Sequence, residues 1–160
     1  MDFTELVDLA SEKLGGTVLV ANDEFFAPKE NLLKPEAPIF IEGKYTDLGK
    51  WMDGWETRRR RTPGYDWCII RLGAPGKIRG VVVDTSFFRG NYPEHCSVEA
   101  CTIDGLPTID ELSGEAVEWT QLLPQLPLAG DTQNPFAVES EQRFTHLRFK
   151  IYPDGGVARL

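Results

Sequence analysis

The residues best suited to chemistry lie in one stretch, KWMDGWETRRRR, which spans positions 50–61. It interleaves tryptophan with two acids, Asp53 and Glu56, and with four consecutive arginines. A guanidinium presents a planar fork of donors that matches a carboxylate, and tryptophan supplies a rigid apolar wall. The combination is typical of a rim that binds a small anionic ligand. A basic loop held by two core tryptophans would have the same composition, so both interpretations stay open.

Only one or two of the four arginines can face a pocket, because neighbours in an extended segment alternate sides. Arg58 and Arg59 follow Glu56 most closely and are our candidates for carboxylate binding, whereas we expect Arg60 and Arg61 to be solvated. The candidate ligand-binding residues of this stretch are Asp53, Trp55, Thr57, Arg58 and Arg59.

Acid–base chemistry would draw on carboxylates from more than one loop. Asp23 and Glu24 follow an apolar run, Glu30 comes shortly after, and Glu56 belongs to the next loop. If these loops meet at one end of a β-sandwich, Glu56, Asp23, Glu24 and Glu30 are candidate catalytic acids and bases. Asp23 could instead cap a turn. Oxygen ligands of this kind could hold a divalent metal, but no spacing specifies one, so we assign no cofactor and leave the metal unknown.

A third segment that could line the ligand-binding site follows the apolar run IRGVVVD. Asp84 and Thr85 end that run, and Asn91 lies in the loop after it. All three are candidate ligand-binding residues, although Asp84 could simply accept backbone N–H groups in a packed loop. His146 lies on the polar side of its strand, where it could serve as an acid or base in a pocket, although we expect a surface or inter-repeat contact. We expect Trp67 to belong to the core.

Composition limits the classes of partner and location. The chain has 160 residues and a net charge of −8, which argues against a general nucleic-acid surface. No apolar run reaches the length of a membrane span, and the acidic N-terminus lacks a signal-peptide core. We therefore expect a soluble, cytoplasmic protein with neither a nucleic acid nor a membrane as partner. Cys68, Cys96 and Cys101 do not make a disulfide framework, and odd spacing places Cys96 and Cys101 on opposite faces of one strand.

The hydrophobic pattern predicts an all-β fold. Apolar residues at helical spacing, closed by Gly15-Gly16, predict a short N-terminal helix. Short apolar or alternating runs separated by turn residues then predict a sandwich or jelly roll. The predicted strands are 18–21, 38–41, 66–72, 78–84, 95–103, 119–123, 144–152 and one that begins at 157.

The order of these blocks carries a resemblance. DWCIIRLG, IRGVVVD, SVEACTIDG and HLRFKIYPDGG together look like the discoidin or galactose-binding-like jelly-roll β-sandwich. Within that superfamily, ANDEFFAPKENLL, GKWMDGWETRRRR, IRGVVVDTSFFRGNYP and THLRFKIYPDGGVARL resemble the allantoicase (allantoate amidinohydrolase) family. These blocks span nearly the whole chain and keep their order.

The resemblance implies an enzyme of purine and allantoin degradation that hydrolyses allantoate to ureidoglycolate and urea. Family members carry two jelly-roll repeats, and residues 1–160 match the first as a single domain. The expected partners are therefore allantoate and either a second repeat or further copies in a homo-oligomer. Two alternatives stay open: a non-catalytic module that binds sugar-like ligands, and an inactive half that needs the second repeat.

Overall fold

The computed structural model describes residues 2–160, which fold mainly into antiparallel strands. The strands are β1 (Thr17–Ala21), β2 (Tyr45–Thr46), β3 (Gly49–Lys50), β4 (Trp55–Glu56), β5 (Asp66–Lys77), β6 (Gly80–Asp84), β7 (His95–Cys101), β8 (Thr120–Pro127), β9 (Gln133–Ala137), β10 (Arg143–Tyr152) and β11 (Gly156–Val157). One α-helix, α1 (Ile109–Ser113), and three 3₁₀ turns (Phe3–Glu5, Glu12–Leu14 and Lys29–Leu33) complete the regular structure of this part of the chain. The all-β prediction is confirmed.

The larger layer is a five-stranded sheet in the order β1-β5-β10-β7-β8. Its central strand β10 alternates as the sequence predicts, with Leu147, Phe149 and Ile151 directed into the main core. Neighbouring strands align residue by residue, for example Phe149 opposite Cys68 on β5 and Val98 on β7.

The opposing layer consists of short ladders, β6 with β9 and β4 with β11. Residues beyond β11 join them, because Arg159 bridges to Asp84 at the end of β6. The main core lies between the two layers and includes Trp55, Val83 and Phe144. This sandwich fixes the ends of β4, β6 and β10, from which the candidate loops depart.

A second apolar cluster covers the outer face of the five-stranded sheet, where Ile69, Cys101 and Leu112 of α1 are buried together. Cys96 lies instead in the main core, so the predicted opposite orientation of Cys96 and Cys101 is confirmed. Burial raises the pKa of Cys96 to about 12 and that of Cys101 to about 11, and it raises the pKa of Cys68 as well. The three thiols are thus protonated near neutral pH and pack as small apolar groups.

Two predicted elements are wrong. The N-terminal segment forms two separate 3₁₀ turns rather than one helix, because Asp2 and Ser11 each cap a turn of their own. Gly15 does end the second turn, with φ of 107°. Residues 38–41 form no strand and belong to a loop that contains Pro35 and Pro38, in which Ile39, Phe40 and Ile41 are exposed. None of the helices in residues 2–160 has the length and apolarity that a bilayer crossing requires.

Candidate active site

Glu56 is fixed on a strand that is tied to its neighbours on both sides. Its backbone exchanges hydrogen bonds with Ala27 on one side, at 3.2 and 3.3 Å, and it pairs with Gly156 of β11 on the other. The adjacent Trp55 is fully buried in the main core. The Glu56 side chain therefore leaves a rigid base and points into a cleft at one end of the sandwich.

That cleft, the Glu56 pocket, has a volume of about 930 Å³. Three segments converge on it: the loop after β6, the start of β7 and the turn between β10 and β11. Its lining residues are Phe26, Glu56, Thr57, Arg59, Arg89, Gly90, Asn91, Tyr92, Glu94, His95, Leu128, Pro153, Asp154 and Gly155.

The surroundings of the Glu56 carboxyl favour its protonated form more than water does. Burial raises its pKa above the ordinary value, and a hydrogen bond from the Asn91 side-chain N–H to Oε2, at 3.0 Å, offsets only part of that effect. No cation forms an ion pair with Glu56 among residues 2–160. A carboxyl with a raised pKa beside a cleft is suited to proton donation.

The prediction that only one or two of the four arginines face a pocket is wrong, because all four line one cleft beside the Glu56 pocket. Arg59 lines the Glu56 pocket, whereas Arg58 stacks its guanidinium over the ring of Phe25, 4.1 Å from the ring centroid. Arg60, which we expected to be solvated, is instead partly buried and pairs with the buried Asp66 at 2.9 Å, whereas Arg61 is exposed as expected. Of Arg58 and Arg59, the two candidates for binding a ligand carboxylate, only Arg59 lines the Glu56 pocket.

Arg58 faces a neighbouring cleft, the arginine groove, which has a volume of about 860 Å³. Phe26 and Arg59 line both clefts, so they form the boundary between them. The groove is lined by Asn22, Asp23, Phe26, Arg58, Arg59, Arg60, Arg61, Thr62 and Asp66.

The other candidate acids do not meet Glu56. Glu24 and Glu30 both pair with Lys29, at 3.1 and 2.8 Å, on the surface. Asp23 accepts hydrogen bonds from the backbone N–H groups of Phe25 and Arg58, at 2.9 and 3.1 Å. Asp23 thus shapes the arginine loop and lines the groove, and Glu24 and Glu30 lie outside both clefts.

Asp53 and Trp55 are placed in structural contacts. Asp53 is buried and binds Arg159 through two side-chain hydrogen bonds, at 3.1 and 2.8 Å. Burial alone would raise the pKa of Asp53, but the hydrogen bonds from Arg159 and Ile39 and the charges of Arg159 and Lys34 together lower it. Trp55 packs against Phe149 in the core. Neither side chain reaches the Glu56 pocket.

The candidates of the third segment also differ: Asp84 and Thr85 make structural contacts, and only Asn91 lines the pocket. The Asp84 carboxylate accepts the N–H of Ser86 at 2.8 Å, and the hydroxyl of Thr85 donates to the backbone oxygens of Ala129 and Thr132. Both residues are buried and fix the start of the loop. Asn91, further along the same loop, does reach the pocket, as expected.

Sequence reasoning missed four polar residues of the pocket: Arg89, Glu94, His95 and Asp154. Arg89, Glu94 and His95 follow β6 within a dozen residues, and this position after an apolar strand could have identified them as candidates. Asp154 belongs to the turn PDGG between β10 and β11, which the two glycines mark in the sequence. His146, which we expected at the surface, is buried at 1% exposure with its Nδ1 2.8 Å from the hydroxyl of Thr145.

No group of three or more His, Cys, Asp or Glu side chains in residues 2–160 is arranged to hold a metal ion. The Glu56 pocket does bring together two guanidinium groups, from Arg59 and Arg89, with the carboxyl of Glu56 and the imidazole of His95.

The sequence comparisons identify the family. A family model described as the allantoicase repeat matches residues 7–160. The chain belongs to the allantoicase family. It is 52% identical to a probable allantoicase of Streptomyces coelicolor over 100% of this chain and 45% of the relative. It is 53% identical to a probable allantoicase of Nocardia farcinica over 99% of this chain and 48% of the relative. The chain thus spans about half the length of these curated allantoicases.

Solved structures agree with the family and the fold. The allantoicase of Saccharomyces cerevisiae superposes with a TM-score of 0.83 and 38% identity, covering 96% of this chain and 46% of that one. A carbohydrate-binding module of a family 31 glycoside hydrolase from Clostridium perfringens matches with a TM-score of 0.59 and 13% identity, covering 94% and 92%. At that identity the second match shows the galactose-binding-like jelly-roll fold alone.

Proposed function

We propose that this chain hydrolyses allantoate to ureidoglycolate and urea, as a step of purine breakdown. The observation that carries the proposal is the Glu56 pocket of an allantoicase-family chain, which Glu56, whose pKa burial raises, lines together with Arg59 and with Arg89, itself paired with Asp131 at 3.2 Å. Allantoate is a carboxylate whose central carbon bears two ureido groups. The pocket offers guanidinium groups that can bind the carboxylate and oxygen atoms that can accept hydrogen bonds from the ureido N–H groups.

The chemistry assigns one role to each side chain. Arg59 and Arg89 bind the carboxylate, and Asn91 holds the carboxyl of Glu56 in place. Protonated Glu56 donates its proton to the ureido nitrogen that leaves, so that the bond from the central carbon to that nitrogen breaks and urea departs. Water forms the new carbon–oxygen bond and gives up a proton to His95, which lines the same pocket.

Urea release from allantoate by the 160-residue chain is the direct test. The expected result is turnover that depends on Glu56, and a parallel measurement with a chelator reports whether a divalent cation takes part. Calorimetry with allantoate and with galactose separates the enzyme from a sugar-binding module. Binding of galactose without binding of allantoate would contradict the proposal.

We also propose that residues 1–160 form one jelly-roll repeat that pairs with a second, because its curated relatives are about twice as long. Gel filtration of the chain alone, and after mixing with a second repeat, tests this pairing. A homo-oligomeric state and a cytoplasmic location stay predictions.

A further inference from the structure

The arginine groove concentrates positive charge that the rest of the chain does not balance. Arg60 is paired with Asp66, but Arg58, Arg59 and Arg61 form no ion pair within residues 2–160. The whole chain carries a net charge of −8. Three guanidinium groups without an ion-pair partner therefore make this open cleft locally positive, although the net charge of the whole chain is negative and repels anions.

The backbone of this groove is held rigidly. The N–H of Arg58 donates to Asp23 at 3.1 Å, and the N–H of Arg60 donates to Asp154 at 2.9 Å. Thr57 is tied to Gly155 by a backbone hydrogen bond of 2.9 Å. Two separate loops thus fix the arginine segment, which lowers the entropy cost of binding a ligand there.

The floor of the groove adds polar groups of its own. Asp66 is 2% exposed, and its Oδ2 atom has no hydrogen-bond partner among the described residues. The Nε atom of Arg60 is buried and also lacks a partner there. A ligand with a carboxylate at one end and N–H groups at the other would suit this mixture of donors and an acceptor.

We propose that the arginine groove is a second binding site for small carboxylates, distinct from the Glu56 pocket and continuous with it at Arg59 and Phe26. The inference rests on the proposed function in one respect: the carboxylate that the groove collects is the substrate, which then passes Arg59 into the pocket. Charges that collect an anion in this way accelerate its arrival without changing the chemical step.

The kinetic test uses the double variant Arg58→Gln/Arg61→Gln, with Arg143→Gln as the control on an exposed edge of the fold. At low ionic strength we expect kcat/KM for allantoate to fall about tenfold in the double variant while kcat stays unchanged. We also expect a weaker dependence of kcat/KM on salt than in the parent, because fewer charges remain to be screened. A double variant with the same kcat/KM and the same salt dependence as the parent would overturn the proposal.

A binding test separates this inference from the proposed function. Acetate is titrated into the Glu56→Gln variant while the arginine Nε–H signals are followed by NMR. Saturable shifts at Arg58 and Arg61 that disappear when both are replaced by glutamine would support a carboxylate site even if the chain released no urea. Absence of saturable shifts at these arginines would refute it, whatever the activity. Inorganic phosphate in a parallel titration shows whether the site accepts other oxyanions, and phosphate binding with no response to acetate would also count against a carboxylate site.

Discussion

At the scale of single residues, Glu56 has the strongest combination of position and protonation. Replacing it with glutamine keeps the shape and the contact with Asn91 but removes the transferable proton. We expect turnover to fall on the order of 10²–10⁴-fold in urea-release assays with Glu56→Gln. The exposed Glu115→Gln is the matched control. If both variants turned over within about a factor of three of the parent, a catalytic role for Glu56 would be wrong.

The same substitution, which lowers turnover, should raise the stability of the fold at neutral pH. Because burial raises the pKa of Glu56, the stability linked to its protonated form is present in full below the ordinary value of 4.5. It is lost as the pH rises through the folded-state value. Glu56→Gln should therefore melt at a higher temperature than the parent at pH 7 and at a similar temperature at pH 4.

Arg59 is the arginine whose loss should weaken substrate binding most. A bidentate, charge-assisted contact with a carboxylate is worth roughly 2–3 kcal/mol, or about a hundredfold in affinity. We expect that loss for Arg59→Gln in calorimetry with allantoate and a much smaller loss for Arg58→Gln. Equal losses would mean that the two side chains contact the bound carboxylate alike.

The residues that sequence reasoning found and missed differ in a physical way. Glu56 and Arg59 are neighbours on one extended segment, so spacing alone could group them. Asp154 comes from a loop nearly a hundred residues away, and its carboxylate accepts the backbone N–H of Arg60 only because the sheets pack. The choice between Arg58 and Arg59 depended on the ring of Phe25, which spacing does not reveal.

At the scale of elements, the two tryptophans differ in burial from their predicted places, in which Trp55 was a candidate ligand-binding residue and Trp67 a core residue. Trp55 is fully buried on the short strand β4, whereas Trp67 on β5 is half-buried beside the outer cluster. Trp55→Ala should therefore lower the free energy of unfolding by about 3–5 kcal/mol. Trp67→Ala should cost roughly 1 kcal/mol, in keeping with partial burial. Urea denaturation of both variants checks the order, and a larger loss for Trp67→Ala would contradict the placement of β4 in the core.

The contact between Asp53 and Arg159 joins the loop before β4 to the end of the chain. Their side chains are only 7% and 11% exposed, so Asp53→Ala would leave a buried guanidinium unpaired. We expect a loss of about 3–5 kcal/mol at pH 7, measured by urea denaturation, with the exposed Asp47→Ala as the control.

The sign of the pH dependence follows from the lowered pKa of Asp53. Its contribution is present above the ordinary value of 3.8 and is lost as the pH falls through the folded-state value. The difference between Asp53→Ala and the parent should therefore shrink in acid. A constant difference between pH 7 and pH 3 would show that the ion pair is not the cause.

Element length decided which strands the sequence could predict. β5, β7 and β10 carry enough alternation to be recognised, but β4 and β11 have two residues each and form because their neighbours offer free backbone groups. Pro135 concealed β9, since proline usually argues against a strand. The helix α1 did leave a signal: Thr108 caps it, and its side chain also contacts Glu111 three residues on, as in a capping box.

At the scale of the whole molecule, the sandwich brings Glu56, Arg59 and Arg89 to one cleft at the end where β4, β7 and the turn after β10 meet. The Glu56 pocket and the arginine groove share a wall there, while the ion pair of Asp53 with Arg159 lines a separate cleft. Every side chain of the proposed mechanism comes from residues 56–95 of this chain. Binding of substrate should therefore not depend on a second repeat.

This independence is directly measurable. Calorimetric titration of allantoate into the 160-residue chain alone should give one strong site per chain. Mixing the chain with a second repeat should change the oligomeric state without raising the affinity of this site more than a few fold, because no residue of the pocket would be supplied from outside. The variant Arg89→Gln in the same titration tests whether the heat comes from the Glu56 pocket, because Arg89 lines that pocket and not the arginine groove. If affinity appeared only in the mixture, the second repeat would have to contribute side chains to the site, and the pocket as assigned here would be incomplete.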